Sequence, residues 1–195
     1  MHNRIGLAAM FAATVALGVF SAPIAQAAVT VFGDGHAQMC ALAAQRVEKG
    51  LAPDPAAFQA CDQALTSENL TSRDFAGTYV NRGILYIARA AYSDAKQDFD
   101  SAISIMPDLG EAYTDRGAVL LALRRYSEAI AEINHGLALN SGEPEKAYFN
   151  RALAEEALDD IKAAYLDYSH AAELKPDWNL PRNELLRFTV GAPPS

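Results

Sequence analysis

The sequence predicts an all-α fold of stacked antiparallel helix pairs, and two observations lead to this prediction. A Tyr followed three positions later by an Arg and then by a small residue occurs three times within residues 76–178. The small residues Gly83, Gly117 and Ala152 are separated by 34 and then by 35 residues. Recurrence at this period is typical of repeated helix pairs that bury their apolar faces against their neighbours.

Each copy continues with a second helical signature. An Ala is followed by a large apolar residue four positions later and by a small residue three positions after that. The three copies of this signature are Ala95, Phe99 and Ala102; Ala129, Ile133 and Gly136; and Ala164, Tyr168 and Ala171. Pro107 and Pro176 follow the first and third copies and end their helices, whereas Ser141 stands near the corresponding place in the second.

A helix pair of about 34 residues with an aromatic, a small residue, an Ala, an aromatic and a Pro in this order resembles the tetratricopeptide repeat. The resemblance covers three repeats within residues 71–178, at about 76–109, 110–144 and 145–178. It implies a right-handed α-solenoid with a concave groove lined by the first helix of each pair. In that family the groove receives an extended peptide or a helix of a partner protein.

The repeats predict six helices, because each signature has helical spacing and the turns between them carry breakers or caps. Their expected ranges are 71–89, 93–105, 110–123, 127–139, 145–158 and 161–174. Gly83, Gly117 and Ala152 are expected where the first helix of a pair meets the second, since larger side chains would overpack the contact. Arg82, Arg116 and Arg151 are expected to be solvated or paired with acids.

Residues 1–27 are predicted to be a signal peptide. His2 and Arg4 precede an uncharged apolar run at residues 5–20, and Ala25-Gln26-Ala27 supplies small residues before a cleavage site after Ala27. The alternative is a retained membrane anchor, although the run is shorter than the roughly 20 residues that span a bilayer. We therefore expect a periplasmic or secreted protein.

The charge of the chain argues against nucleic acid as a partner. The full chain has a formal net charge of −8, and loss of Arg4 with the signal peptide would make it about −9. Binding of a phosphate backbone needs clustered Lys and Arg residues that displace counterions. The expected partner is another protein or peptide of the cell envelope.

A degenerate helix pair is predicted ahead of the repeats, over residues 36–70, after a flexible lead at residues 28–35. Helical periodicity runs over 36–49 and again over 55–67, where Asp54 and Pro55 provide an N-cap and a first-turn proline. This pair is expected to cap the repeat array. It contains the only two cysteines, Cys40 and Cys61.

Cys40 and Cys61 are predicted to form a disulfide, because they lie at similar distances from the turn near Gly50 and an exported protein meets an oxidising environment. Closing this loop would stabilise the fold by roughly 3 kcal/mol. Two alternatives remain open: free buried thiols, and a metal site that adds His36 and Asp34 to the two cysteines.

The end of the chain is predicted to cover the last repeat. Leu180, Leu185, Leu186 and Phe188 recur at helical spacing, which predicts a capping helix over residues 179–188. Residues 189–195, with two consecutive prolines, are expected to form a disordered tail.

No catalytic constellation, metal motif or cofactor motif is recognised in the sequence, so neither an enzyme nor a cofactor is expected. An enzyme that uses Asp159 or His170 stays as a remote alternative. The leading hypothesis is a periplasmic interaction module or scaffold.

The predicted partner site is the concave groove. Asn81, Asn150 and Lys146 resemble elements of the carboxylate clamp found in some members of the family, but Val80, Ile84 and Asp115 do not fit it. An apolar groove is therefore predicted. Its expected lining is Val80, Asn81, Ile84, Ile87, Thr114, Asp115, Leu121, Lys146, Phe149, Asn150 and Leu153. The alternative is a self-associating structural protein whose groove is covered by its own terminal elements.

Overall fold

The computed structural model describes residues 24–31 and 35–188. Over these residues the chain forms nine α-helices and no strand, which confirms the predicted all-α class. The helices are α1 (His36–Glu48), α2 (Pro55–Ser67), α3 (Ser72–Ala88), α4 (Tyr92–Ile105), α5 (Gly110–Ala122), α6 (Tyr126–Ala138), α7 (Pro144–Ala157), α8 (Ile161–Leu174) and α9 (Asn179–Leu185).

The helices stack in pairs along one direction. The most extensive contacts lie within the pairs, which are α1 with α2, α3 with α4, α5 with α6, and α7 with α8. First helices also contact each other, α3 with α5 and α5 with α7. Because the second helices α4, α6 and α8 make no comparable contacts with one another, the array curves with its first helices on the inner, concave side.

One arginine in each first helix joins its own pair to the preceding one. Each guanidinium binds an acid sixteen residues later on the second helix of its pair, and each also reaches a polar side chain of the preceding second helix. The bonds are Arg82 to Asp98 and Asp62, Arg116 to Glu132 and Asp100, and Arg151 to Asp167 and Asn134. The three arginines therefore fix the stacking of the repeats.

The small residues of the repeat lie where the two helices of a pair meet. A Cβ added to Gly83 would lie 2.6 Å from the Phe99 ring, and one added to Gly117 would lie 2.6 Å from Ile133. Ala152 is fully buried. These approaches are far closer than ordinary carbon contacts, so the small residues serve packing.

The turn inside each repeat uses a residue in the left-handed region of backbone conformation. Ala90, Arg124 and Asp159 have φ values of 55°, 60° and 65° at equivalent places between the first and second helices. A residue with a Cβ is strained there by roughly 1 kcal/mol, and glycine is not. None of the three repeats places glycine at this position.

The N-terminal pair α1 and α2 is joined by a disulfide between Cys40 and Cys61, as the sequence predicted. Both cysteines are fully buried, with their Cα atoms 4.8 Å apart. His36 lies instead beside Glu68, with Nδ1 3.1 Å from Oε1. Among residues 24–31 and 35–188, no group of three or more His, Cys, Asp or Glu residues could hold a metal ion.

The C-terminal helix α9 is shorter than the predicted 179–188 and ends at Leu185. Leu180, Leu185 and Phe188 pack against the cluster around Phe149 and Tyr168, as a cover for the last repeat. Leu186 does not contribute to this contact, since it is 83% exposed. The predicted tail at residues 189–195 lies outside the described residues.

Residues 24–31, which we call the lead segment, lie extended among the helices. The sequence predicted flexibility from residue 28, but Val29 and Val31 are buried and are 5% and 6% exposed. The rest of the predicted signal peptide, residues 1–23, lies outside the described residues. None of the helices found in the described part of the chain has the length and apolarity needed to cross a membrane.

Candidate functional site: the concave groove and the lead segment

Three buried polar side chains occupy equivalent positions on the concave side. Asn81 on α3, Asp115 on α5 and Asn150 on α7 each directly precede the arginine that joins the repeats. Their exposed fractions are 0%, 1% and 1%. Buried amide and carboxyl groups need hydrogen-bond partners, so their partners identify what this face binds.

Two of these side chains hold the main chain of the lead segment in the same way. The Val29 N–H donates to Asn81 Oδ1 at 3.0 Å, and Asn81 Nδ2 donates to the Val29 carbonyl at 2.9 Å. The Ala25 N–H donates to Asn150 Oδ1 at 3.1 Å, and Asn150 Nδ2 donates to the Ala25 carbonyl at 2.7 Å. Each asparagine side chain thus binds both the N–H and the carbonyl of one residue of the lead segment, and these bonds do not involve that residue's side chain.

The middle position has a carboxyl group where the others have an amide. The Ala27 N–H donates to Asp115 Oδ1 at 3.1 Å, whereas Asp115 Oδ2 is buried without a hydrogen-bond partner. Burial raises the pKa of Asp115 well above its usual value, although the Ala27 N–H and the charge of Lys146 oppose this. In its protonated form Asp115 offers a hydroxyl in place of the asparagine NH2 group.

The three contacts together give the groove a simple register. Residues 25, 27 and 29 of the lead segment meet the third, second and first repeats in that order. Alternate residues of an extended chain point their main-chain groups to the same side, so successive repeats bind every second residue of the segment. We call Asn81, Asp115 and Asn150, each with its peptide residue, the three main-chain clasps.

The side chains of the lead segment fit closely against the helices. A Cβ on Gly77 would lie 2.8 Å from Val29 Cγ1 and 3.3 Å from Val31 Cγ2. Val29 belongs to the main buried cluster, and Val31 packs against α1 and α2. Ala27 is 4% exposed, which leaves no room for a large side chain.

Charged side chains hold the opposite edge of the lead segment. The Ala28 N–H donates to Glu48 Oε1 at 2.7 Å, and Lys146 donates to the Gln26 carbonyl. Lys146 also binds Glu48 at 2.9 Å and Glu143 at 2.7 Å. Burial alone would lower the pKa of Lys146, but these two carboxylates raise it above the usual value.

A cavity of about 460 Å³ adjoins residues 27–30 of the lead segment. Its other walls come from α1, the start of α3 and α5, and the connection before α7. The lining side chains include Gln45, Glu48, Lys49, Arg73, Glu111 and Glu143. The lead segment therefore leaves part of the concave side open, and that part is charged.

The predicted groove residues separate into two groups. Asn81, Asp115, Lys146 and Asn150 bind the lead segment directly, as described above. The others serve packing: Val80, Ile84 and Ile87 lie in the main core, Leu121, Phe149 and Leu153 lie in or against the cluster with Tyr168, and Thr114 lies against Gly136.

An apolar groove was predicted, but the side chains that hold the main chain of the lead segment are polar or charged, while Val80 and Ile84 lie in the core. Asp115, which does not fit a carboxylate clamp, accepts the Ala27 N–H instead. Sequence reasoning also missed Glu48 and the lead segment itself. The available signals were the recurrence of Asn, Asp and Asn before each arginine and the small residues at positions 25, 27 and 29.

The tetratricopeptide repeat family model matches residues 145–177, which span α7, α8 and the following turn. Residues 145–177 therefore match one tetratricopeptide repeat. Similar solved structures support this, because they are tetratricopeptide repeat (TPR) domains. The resemblance stated from the sequence is thereby confirmed. A search of curated proteins finds no match to the chain.

Three solved structures illustrate the similarity. The first TPR domain of RPAP3, bound to the HSP90 peptide SRMEEVD, is 27% identical, with a TM-score of 0.54, over 57% of this chain and 88% of that one. The TPR domain of Arabidopsis OM64 is 21% identical, with a TM-score of 0.56, and the match covers 60% of this chain and 96% of that one. MamA from Desulfovibrio magneticus is 21% identical, with a TM-score of 0.56, and the match covers 78% of this chain and 82% of that one.

Proposed function

We propose that this protein is a non-catalytic interaction module whose concave groove binds an extended peptide segment of another protein through that segment's main chain. The observation that carries the proposal is the pair of asparagine clasps, in which Asn81 and Asn150 each bind both main-chain groups of one residue. TPR domains mediate protein–protein interactions, and the RPAP3 domain in the comparison holds a peptide.

The lead segment shows what kind of peptide fits. Residues 25, 27 and 29 are small or β-branched, and the groove binds their main-chain groups, whereas Thr30 is exposed. The expected ligand is therefore an extended segment with small residues at alternate positions. Side chains between them, which do not meet the clasps, can vary.

We also propose that the protein works in the periplasm or outside the cell. The Cys40–Cys61 disulfide supports this, since disulfides persist in oxidising compartments. Ala25-Gln26-Ala27 supports it as a cleavage site for a signal peptidase. A partner in the cell envelope follows from this location.

Peptide binding tests the proposal. A chain of residues 32–195 lacks the lead segment but retains all nine described helices. We expect it to bind a fluorescent peptide with the sequence of residues 24–31, with the anisotropy change lost when Asn81 or Asn150 is replaced by Ala. Asn69→Ala is the matched control, because Asn69 is exposed and lies outside the groove.

Two further peptides test how the groove reads its ligand. N-methylation at the position of Val29 removes the N–H that Asn81 accepts, so binding should weaken by about tenfold or more. Replacement of Thr30 by another polar residue should change little. Equal binding of the N-methylated and unmodified peptides would contradict the proposal that the groove binds the main chain of its ligand.

A second candidate function is structural: the lead segment closes the groove permanently, and the protein acts by self-association. The buried contacts of Ala27 and Val29 favour this alternative. A chain of residues 24–195 distinguishes the two, because a permanently closed groove would not exchange its own segment for added peptide. Multi-angle light scattering across micromolar concentrations would then have to show an oligomer.

A further inference from the structure

The bond that the signal peptidase is predicted to cut lies between two carboxyl groups of the groove. The Ala28 N–H donates to Glu48 Oε1 at 2.7 Å, and the Ala27 N–H donates to Asp115 Oδ1 at 3.1 Å. Glu48 lies on α1 and Asp115 lies on α5. The main-chain nitrogens on both sides of this bond therefore already bind acids.

Cleavage changes the nitrogen of Ala28 from an amide to an ammonium group. Hydrolysis adds water to the Ala27–Ala28 amide, so Ala27 leaves as a carboxylate and the released amine of Ala28 takes up the proton. The nitrogen then has three N–H donors and a positive charge, where the amide had one donor and no charge. The cavity of about 460 Å³ that adjoins residues 27–30 leaves room for the additional donors.

Asp115 fits an ammonium group better than it fits the intact chain. Its Oδ2 is buried without a hydrogen-bond partner, and the residue is 1% exposed. At the equivalent positions, Asn81 and Asn150 donate to a carbonyl of the lead segment, which an ionised carboxylate cannot do. The clasp that carries an acid in place of an amide is thus the one that adjoins the predicted cut.

Both carboxyl groups lie within reach of the new ammonium group. Glu48 Oε1 is 2.7 Å from the Ala28 nitrogen, and Asp115 Oδ1 is 3.1 Å from the nitrogen of Ala27. Consecutive main-chain nitrogens are at most roughly 3.6 Å apart, which places Asp115 no more than about 7 Å from the ammonium group. Because Ala27 is no longer attached, the ammonium group can turn towards Asp115. Opposite charges this close stabilise each other.

Lys146 is the cation that competes most directly for Glu48. It binds the same Oε1 at 2.9 Å, but it also binds Glu143 at 2.7 Å. An ionised carboxylate has about four acceptor positions, so Glu48 can bind both nitrogens. The other charged side chains that line the adjoining cavity are Glu111 and the exposed Lys49 and Arg73. In the less exposed part of the site, carboxyl groups therefore outnumber cations.

The residues that follow the cut keep the new chain end in place. Val29 retains both bonds to Asn81, and Val31 stays packed against α1 and α2. These contacts hold Ala28 beside Glu48 before and after cleavage. The ammonium group therefore forms where its partners already lie.

We propose that Glu48 and Asp115 form a binding site for the ammonium group that cleavage after Ala27 creates at Ala28, and that this pairing locks residues 28–31 in the groove. A partner peptide then has to displace the protein's own N terminus to reach Asn81. The proposal rests on the proposed export and on cleavage after Ala27, but it does not depend on peptide binding.

The acid dissociation constant of the Ala28 ammonium group tests the proposal. The sample is residues 28–195 with an unblocked N terminus, and NMR follows the Ala28 methyl group as pH rises. We expect the constant to be about tenfold smaller than for the same chain unfolded in urea, because both carboxyl groups favour the charged form. Glu48→Gln should remove most of this difference, and Asp115→Asn should raise the constant about threefold. Asp108→Asn is the matched control, because Asp108 is exposed outside the groove and should change nothing.

Acetylation of Ala28 provides a test that needs no substitution. The acetylated chain retains an N–H at position 28 but has no ammonium group. At pH 7 the free chain should unfold at a higher urea concentration than the acetylated chain. Pairing raises the pKa of the amine above its unfolded value, so this advantage is full below the unfolded pKa and is lost as pH rises through the folded pKa.

The role of Asp115 predicts opposite effects in two chains. In residues 28–195, Asp115→Asn removes a partner of the ammonium group and should lower the urea midpoint at pH 7. In residues 24–195, position 28 is an amide and the same substitution should raise the midpoint. A rise in both chains would overturn the assignment of Asp115.

Three other results would also overturn the proposal. They are a dissociation constant equal to or larger than that of the unfolded chain, equal urea midpoints of the free and acetylated chains at pH 7, and an exported protein whose mass shows that it does not begin at Ala28. Failure of the proposed function gives a different result. If residues 32–195 do not bind the 24–31 peptide but the dissociation constant is tenfold smaller, peptide binding fails and the ammonium site stands.

Discussion

Replacement of Asp115 by Asn should stabilise the protein, although most changes at a fully buried position destabilise it. Asp115 Oδ2 is buried without a partner, while the equivalent Nδ2 of Asn81 and Asn150 donates to a carbonyl of the lead segment. The new amide would donate to the Ala27 carbonyl. Each new hydrogen bond of this kind contributes about 1 kcal/mol, and relief of the unpaired carboxyl group adds a similar amount.

The gain should depend on pH, and its sign follows from the raised pKa. Burial raises the folded-state pKa of Asp115 above its value in the unfolded chain. Its contribution to stability is therefore full at low pH and is lost as pH rises through the folded-state pKa. Asn does not titrate, so the advantage of Asp115→Asn should be smallest near pH 4 and about 1 to 3 kcal/mol at pH 8.

Urea unfolding of residues 24–195, followed by circular dichroism at pH 4 and pH 8, measures both effects. Asp108→Asn is the matched control, because Asp108 is exposed in the turn before α5 and should change stability by less than about 0.5 kcal/mol. A destabilised Asp115→Asn protein, or a gain that is the same at both pH values, would refute the reasoning.

Three further changes test the repeats. Burial and the Asp167 carboxylate raise the pKa of Glu155 to about 7, so Glu155→Gln should leave stability unchanged near pH 4 and increase it by about 1 kcal/mol at pH 8, after allowance for partial exposure of the group. Gly83→Ala should destabilise by about 1 to 2 kcal/mol in urea unfolding, because the 2.6 Å approach to Phe99 outweighs the better helix propensity of Ala. Ala90→Gly should raise the thermal midpoint, since it relieves a φ of 55° worth roughly 1 kcal/mol.

Two of these changes have an internal check. A Glu155→Gln gain that persists at pH 4 would contradict the titration argument. Ala131→Gly is the control for Ala90→Gly: Ala131 is exposed inside α6, so glycine there should cost about 1 kcal/mol. If both glycine substitutions shift stability in the same direction, the strain assigned to Ala90 is wrong.

The fold could be predicted because its determinants are local and repeated. Gly83 and Gly117 mark close helix contacts at a fixed period, and Pro107 follows the end of α4, which it cannot continue. The pairing of Cys40 with Cys61 was predicted from their similar distances to the turn near Gly50, and the structure contains this disulfide. In each case, a property of the residue itself sets the local geometry.

The occupied groove could not be predicted in the same way, because it depends on partners more than 50 residues apart. Asn81 and Asn150 were placed on the concave side, but their main-chain ligands Val29 and Ala25 lie 52 and 125 residues away. Neither a motif nor a period connects them. Composition suggested an apolar surface, since Val80 and Ile84 are apolar, but both face the core.

Amide hydrogen exchange of the lead segment tests the central claim most directly. In residues 24–195, observed by NMR, the N–H groups of Ala25, Ala27 and Val29 should exchange slowly, because each donates a hydrogen bond to a groove side chain. Asn81→Ala should accelerate exchange of the Val29 N–H. Exposed Thr30 should exchange quickly in the same spectrum. Exchange of all these amides at the rate of an unstructured peptide would contradict the account.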